Sequence, residues 1–292
     1  VIQFGPSNRE RSARSVYDRL MWFVCDGCGI VSVCFAYGIL GSSNLVVVRW
    51  AFRSLGMHFR VLDTIVYEVL FFLSVWSHAA CMLTNPGTVP LDLELSEGTR
   101  HCVHCRSAKP PRAHHCTVCE RCIQKMDHHC PWMNNCVGAR NQKHFVLFLL
   151  YVFLQSATAI CAISRHMLVA LPPTGNARRR RDRLLRAEKN SSGSAASALE
   201  SLIVLSEGES VACVLVLFVA LIFGLFVFVM LCDQWGHILS DASTIDTMQG
   251  AAPEHRRPWR EPLQEVMGRG PSWRWFVPIP VKQGRVSVKC DV

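Results

Sequence analysis

Residues 211–232 read VACVLVLFVALIFGLFVFVMLC, a run of 22 with no charged side chain. At about 1.5 Å per residue, a helix of that length crosses the roughly 30 Å hydrocarbon core of a bilayer. The competing reading is a helix buried in a large soluble core, but soluble helices that long keep a polar face. The run therefore sets the solvent, and half of the 292 residues are hydrophobic and bunched in the same way. Three weaker spans are expected at 21–40, apolar apart from Asp26, at 61–83, carrying Asp63, Glu68 and His78, and at 145–163, ending before Arg165. Polar residues inside a span are expected to face another helix or a cavity.

Basic residues set the orientation. Twenty of the 31 Lys and Arg lie in the N-terminal segment, the middle segment 84–144 and the tail; ten lie in the two opposite loops, and Arg165 sits at an edge. Both termini and the middle segment are then cytosolic. The run ARRRRDRLLR at 177–186 falls on the opposite side and is read as a solvated or headgroup-facing loop, with no nucleic-acid partner. The net charge of +9 suits a protein lying against anionic lipid. The chain starts at Val1, so its N-terminus is expected to be incomplete, and no cleavable signal is evident. The expected organisation is a lead-in at 1–20, two spans within 21–83, a cysteine-rich domain at 84–144, two spans with a basic, Ser-rich loop at 145–232, and a cytosolic tail at 233–292. In the tail, PSWRWFVPIP at 271–280 is expected on the bilayer surface. No internal repeat is evident.

Residues 101–144 lack the apolar runs of a hydrophobic core, so something else must hold them. Seven of the chain's 15 Cys lie between 102 and 136: Cys102, Cys105, Cys116, Cys119, Cys122, Cys130 and Cys136, with His115 and His129 among them. A Cys-x2-Cys step puts two thiolates on one turn, half of a tetrahedral zinc site. Disulfides are disfavoured on a reducing, cytosolic side. Two closed sites need eight ligands, and nine candidates are present. Spacing does not say which is spare, although Cys130 directly follows His129. Asp127 and His128 precede it, and such a pair can take a thiol's proton and fix the imidazole. From the residues alone, Cys130 is either a ligand set's stray thiol or a nucleophile.

The segment KPPRAHHCTVCERCIQKMDHHCPWMNNCVGARNQKHF at 109–145, with DHHC at 127–130, resembles the DHHC protein S-acyltransferases throughout their cysteine-rich domain. CDGCGI at 25–30 and SHAACMLTNPG at 77–87 resemble the Golgi-type branch. The resemblance implies an all-α polytopic membrane protein: four transmembrane helices, with a small cytosolic two-zinc domain of short hairpins between the second and third. It implies one structural zinc on Cys102, Cys105, His115 and Cys122, and another on Cys116, Cys119, His129 and Cys136. Cys130 would take the acyl group of palmitoyl-CoA and pass it to a membrane-proximal cytosolic cysteine of a substrate protein, with His128 as base and Asp127 orienting it. Lys109, Arg112 and His114 would lie near the CoA phosphates, Trp132 beside the thioester, and Phe145 along the acyl chain. Golgi or another endomembrane is the implied location. His101 and His104 have no place in the framework and are read as surface residues. The alternatives are a non-catalytic, membrane-tethered zinc module that recruits partners and a RING-like ligase, whose ligand order is absent.

Three departures from the family pattern stand out. Asn85-Pro86-Gly87 replaces Asp-Pro-Gly, which removes a charge and keeps the turn. Ser243-Thr244-Ile245-Asp246 replaces Thr-Thr-x-Glu, which shortens the carboxylate's reach by one carbon. Pro262 stands where the tail motif carries Asn, and is expected to weaken the docking of the tail.

Overall fold

The computed structural model describes residues 24, 26–54, 57–91, 100–170, 207–250 and 257–281. The lead-in at 1–20, most of the acidic linker at 91–100, and the basic and Ser-rich stretches at 177–186 and 190–198 lie outside the described residues. Among those described, four helices are long and apolar enough to cross a membrane: α1 (Gly27–Arg49), α2 (Met57–Leu83), α3 (Gln142–Ala170) and α4 (Glu207–Ser240).

The first helix lies further along the chain than the expected span at 21–40. Asp26 is the reason: it precedes the helix, its carboxylate accepting from Gly29 N at 2.9 Å and its carbonyl from Ile30 N at 2.9 Å. The helix then runs through Gly41-Ser42-Ser43-Asn44, where Ser42 bonds back to the Ile39 carbonyl and Asn44 donates to Glu68 of α2. The three charged or ionisable residues noted in the span at 61–83 are all engaged in this helix. Glu68 takes the Asn44 amide, Asp63 pairs with Arg165 of α3 at 3.2 Å, and His78 is fully buried.

The chain divides into two compact units. One holds Gly38–Phe72 and Tyr151–Phe228, the other Val1–Tyr37, Leu73–Leu150 and Val229–Val292. The first is an apolar core of Val47, Phe52, Tyr67, Ala159, Ile163, Cys213 and Val216 among others. Small residues let its helices approach: a Cβ on Gly224 of α4 would sit 3.1 Å from the Ser156 Cβ of α3.

The second unit is held differently. Three antiparallel hairpins follow one another: β1–β2 (His101–Cys102, Ser107–Ala108), β3–β4 (Ala113–Cys116, Arg121–Gln124) and β5–β6 (His128–Cys130, Asn135–Val137). They are tied to the end of α2 by two asparagines. Asn135 Nδ2 lies within 3.3 Å of the Cys81, Met82 and Thr84 carbonyls, and Asn141 Nδ2 donates to Cys81 and Cys136, capping carbonyls that a helix end leaves unpaired. Asn85 keeps the turn after α2, its Oδ1 accepting from Gly87 N at 2.8 Å and Thr88 N at 2.9 Å.

Beyond α4 come two short helices, α5 (Thr244–Met248) and α6 (Arg260–Met267). Pro262 sits in the first turn of α6, where its missing N–H has no helical partner in any case, and it is buried. Other groups do the docking: Lys125 to Glu265 at 2.6 Å, Arg257 to Asp241 at 2.6 Å, and Lys143 to the Arg274 and Ile279 carbonyls at 2.7 and 3.1 Å.

Candidate active site

The three hairpins reveal a repeat that inspection of the sequence missed. A His-Cys pair recurs every 14 residues, at His101-Cys102, His115-Cys116 and His129-Cys130, and β2, β4 and β6 begin at 107, 121 and 135 with the same period. The first two hairpins each lend a Cys-x2-Cys pair to a cluster completed by a His and a Cys of the next. Cys102, Cys105, His115 and Cys122 form one cluster; Cys116, Cys119, His129 and Cys136 form the other, each set of ligand atoms lying within 4.8 Å of one another. The intervals within the two sets are identical. A third set would continue at 130, 133, 143 and 150, but those positions are Cys130, Met133, Lys143 and Leu150. The repeat thus leaves over its first His and its last Cys. His101 is exposed, and Cys130 is buried.

The clusters fit zinc. A tetrahedral ion with Zn–S near 2.3 Å and Zn–N near 2.0 Å has edges of about 3.8 Å between sulfurs and about 3.5 Å from sulfur to nitrogen. In the first cluster, Cys105 lies 3.7 Å from Cys122, and His115 Nδ1 lies 3.7 and 3.3 Å from Cys102 and Cys105. In the second, Cys119 lies 3.4 Å from Cys136, and His129 Nδ1 lies 3.7, 3.4 and 3.6 Å from Cys116, Cys119 and Cys136. His104 stacks on the His115 ring at 4.6 Å without joining the set.

Cys130 ends β5, and a 3-10 turn (Pro131–Met133) follows. Asn134 closes that turn in the left-handed region, at φ 44°, and its amide donates to the Val24 carbonyl. Gly29 of α1 lies against the Asn134 side chain with no room for a Cβ. On the other side, His78 joins the turn to α2: its ring nitrogens meet the Trp132 carbonyl at 2.9 Å and the Tyr37 hydroxyl at 3.0 Å. The Trp132 ring lies 6.2 Å from Phe35, and Phe145 stands edge-on to His128 at 5.3 Å.

Asp127, His128 and Cys130 lie in sequence along the start of β5. The His128 Nδ1–H donates to Asp127 Oδ2 at 2.8 Å, which leaves Nε2 to take a thiol's proton, and Cys130, two residues on in the same strand, is close enough to raise the basicity of this imidazole. Burial alone would lower the basicity of His128, but the bond to Asp127 and the proximity of Cys130 outweigh it and lift the imidazole to about 9. Burial likewise works against the Asp127 carboxylate, yet the donors from His128 and Thr244 hold it well below the usual carboxylate range. Thr244 donates twice to Asp127 Oδ1, from its amide at 2.8 Å and its hydroxyl at 2.7 Å. Gln234 donates to Oδ2 at 2.8 Å. Sequence reading named Thr244 within the Ser243–Asp246 motif without a partner and missed Gln234; the available signal for Gln234 was a polar residue just past an otherwise apolar run.

Of the three basic residues expected near phosphates, Arg112 is bound to tail carboxylates, Asp241 at 2.9 Å and Asp246 at 3.0 Å. His114 lies 3.5 Å from Asp246, and Lys109 is close enough to lower the basicity of His114 after burial has done so. Asp246 also closes a capping box with Ser243, so the shorter carboxylate still reaches both partners.

The family model described as DHHC palmitoyltransferase matches residues 95–251, more than half of the chain. The chain is similar to palmitoyltransferase ZDHHC3 of Rattus norvegicus (34% identical over 160 residues, 51% of this chain and 54% of that protein). It is similar to palmitoyltransferase ZDHHC7 of Mus musculus (30% over 169 residues, 54% of each). It is also similar to probable protein S-acyltransferase 13 of Arabidopsis thaliana (38% over 165 residues, 47% of this chain and 54% of that protein). The chain spans about half the length of these curated relatives. With two zinc clusters, a spare buried thiol beside an Asp-His pair and this match, the chain belongs to the DHHC palmitoyltransferase family.

Proposed function

We propose that the chain is a protein S-palmitoyltransferase that works through an acyl-Cys130 intermediate. The observation that carries this reading is the position of Cys130: among the described residues it is the one thiol of the hairpin array outside both clusters, buried, and two residues from a histidine whose Nδ1 is held by a carboxylate.

His128 Nε2 takes the thiol proton, and the Cys130 sulfur attacks the thioester carbonyl of palmitoyl-CoA. The S–C bond to CoA breaks, and the CoA thiolate leaves with the proton from His128. In the second half, the thiol of a substrate cysteine gives up its proton, attacks the acyl-Cys130 carbonyl and displaces the Cys130 thiolate, which regains a proton. Asp127 keeps the imidazole in the tautomer and orientation both halves need. Zinc supplies no chemistry here; each ion would fix the hairpins that carry Asp127, His128 and Cys130. Trp132 and Phe145 flank the acyl chain on this reading, which is supported by their ring contacts with Phe35 and His128. Lys109 and His114 are offered to the CoA phosphates, with Arg112 shared with the tail. Substrates on this reading are proteins with cysteines near the cytosolic membrane surface, and the resemblance of residues 25–30 and 77–87 to the Golgi-type branch favours the Golgi.

The test is labelled palmitoyl-CoA added to the purified full chain. A hydroxylamine-sensitive label is expected on the wild type. Cys130→Ser should lose it and retain about two zinc ions. A wild-type protein that never takes label sinks the enzyme reading, and a variant that loses zinc makes Cys130 a ligand.

A further inference from the structure

The last turns of α4 carry Gln234 and His237, three residues apart and so on one face of the helix. Both point at Asp127. Gln234 is fully buried; its Nε2 donates to Asp127 Oδ2 at 2.8 Å, and its Oε1 accepts from Gln142 Nε2 at 3.4 Å, which fixes the orientation of the amide. His237 Nδ1 lies 3.4 Å from the Thr244 hydroxyl and 3.5 Å from Asp127 Oδ1, and its Nε2 lies 3.6 Å from Asp233 Oδ1. The Thr244 hydroxyl gives its single proton to Asp127 at 2.7 Å. Toward His237 it therefore presents lone pairs, and Nδ1 is the donor.

Both oxygens of Asp127 are thus held by segments distant in the chain, Oδ2 from α4 and Oδ1 from the start of α5. His128 and Gln234 share Oδ2; Thr244, backed by His237, holds Oδ1. A carboxylate bound at one oxygen only can swing about its terminal torsion, which has broad wells, and would carry the imidazole with it. A misplacement of about 1 Å at a reacting group costs on the order of a hundredfold in rate.

We propose that Gln234 and His237 are positioning residues for the transfer at Cys130, acting through Asp127 on the imidazole of His128. This rests on the reading of Cys130 as the acyl acceptor. The assay is the rate of hydroxylamine-sensitive labelling of the full chain, followed as a function of palmitoyl-CoA concentration, with bound zinc measured on the same samples. Gln234→Leu, near in shape and without the donor, is expected to lower the maximum rate about tenfold to a hundredfold, the equivalent of one lost hydrogen bond to a charged group. Half-saturating palmitoyl-CoA and zinc content should not move. At 237 the position of the donor is the discriminating variable. His237→Asn keeps a donor at the δ position and should recover the rate to within about threefold of wild type, whereas His237→Gln moves the donor outward and should lose about tenfold. Equal rates for the Asn and Gln variants overturn the role of His237. A shifted half-saturation, a lost zinc or an unaltered rate in Gln234→Leu overturns that of Gln234. Label in the wild type with no difference among variants removes only this inference; no label in the wild type removes the reading beneath it as well.

Discussion

The two zinc clusters use the same ligands at the same intervals, yet they stand in different chemical company. The first, built from Cys102, Cys105, His115 and Cys122, is flanked by groups of no evident chemistry: His101 is exposed and His104 stacks outside it. The second takes His129 from the middle of β5, and its two neighbours in that strand are His128 and Cys130. Fixing His129 on an ion therefore fixes the alternation of the strand, which sends His128 and Cys130 to the opposite face. The same structural device holds a hairpin in one place and, on the proposed function, aims a nucleophile in the other.

The largest expected effect comes from breaking that asymmetry at the metal. Cys136→Ser and Cys105→Ser should each reduce bound zinc from about two ions to about one, since a structural zinc contributes on the order of 10 kcal/mol to its site. Labelling of Cys130 should fall below detection only for Cys136→Ser, with a measurable rate left in Cys105→Ser. Equal loss in both would mean that the hairpins behave as one cooperative unit and that the distinction between clusters is empty.

A smaller effect is expected at Arg112, which belongs to the second hairpin and clamps the tail. Arg112→Ala leaves Asp241 and Asp246 short of a partner and should cost about 1–3 kcal/mol in thermal or denaturant unfolding. If its main work is to hold the tail, the maximum labelling rate drops while half-saturating palmitoyl-CoA stays put. A raised half-saturation with unchanged stability would return Arg112 to the CoA phosphates. Lys125→Met, which removes a half-exposed pair with Glu265, should cost only about 0.5–1 kcal/mol by the same measurement. Smallest of all is His101→Ala, at the unused first end of the repeat, where unfolding should shift by less than about 0.5 kcal/mol and zinc content should stay the same. A lost ion there would show that His101 serves as a ligand.

Much of this was legible beforehand because it is local. A run of uncharged apolar residues has only one favourable solvent, and closely spaced Cys-x2-Cys steps with histidines between them have the pattern of metal sites. Four helices and two clusters followed from those facts. The first helix was misplaced because Asp26 reads as an impurity within a span until its carboxylate is seen capping the helix. The 14-residue repeat was present in the letters, but it acquired meaning only when the strands showed that ligands from successive hairpins interlock.

Contacts between distant segments were not legible. Arg112 is separated from Asp246 by 134 residues and Asp127 from Gln234 by 107, and no periodicity links them. The partner of a charged side chain is decided by which chain segments the fold brings within about 3 Å, since direct hydrogen bonds act only at that range. By itself the amino-acid sequence determined the membrane helices, the ligand sets' composition and the presence of a spare thiol, because burial and metal preference are properties of residue types. Only the tertiary structure decided that α4 grips Asp127, that Arg112 faces carboxylates, and that Cys130 is the sulfur left outside both clusters, because each depends on distances between atoms far apart in the chain.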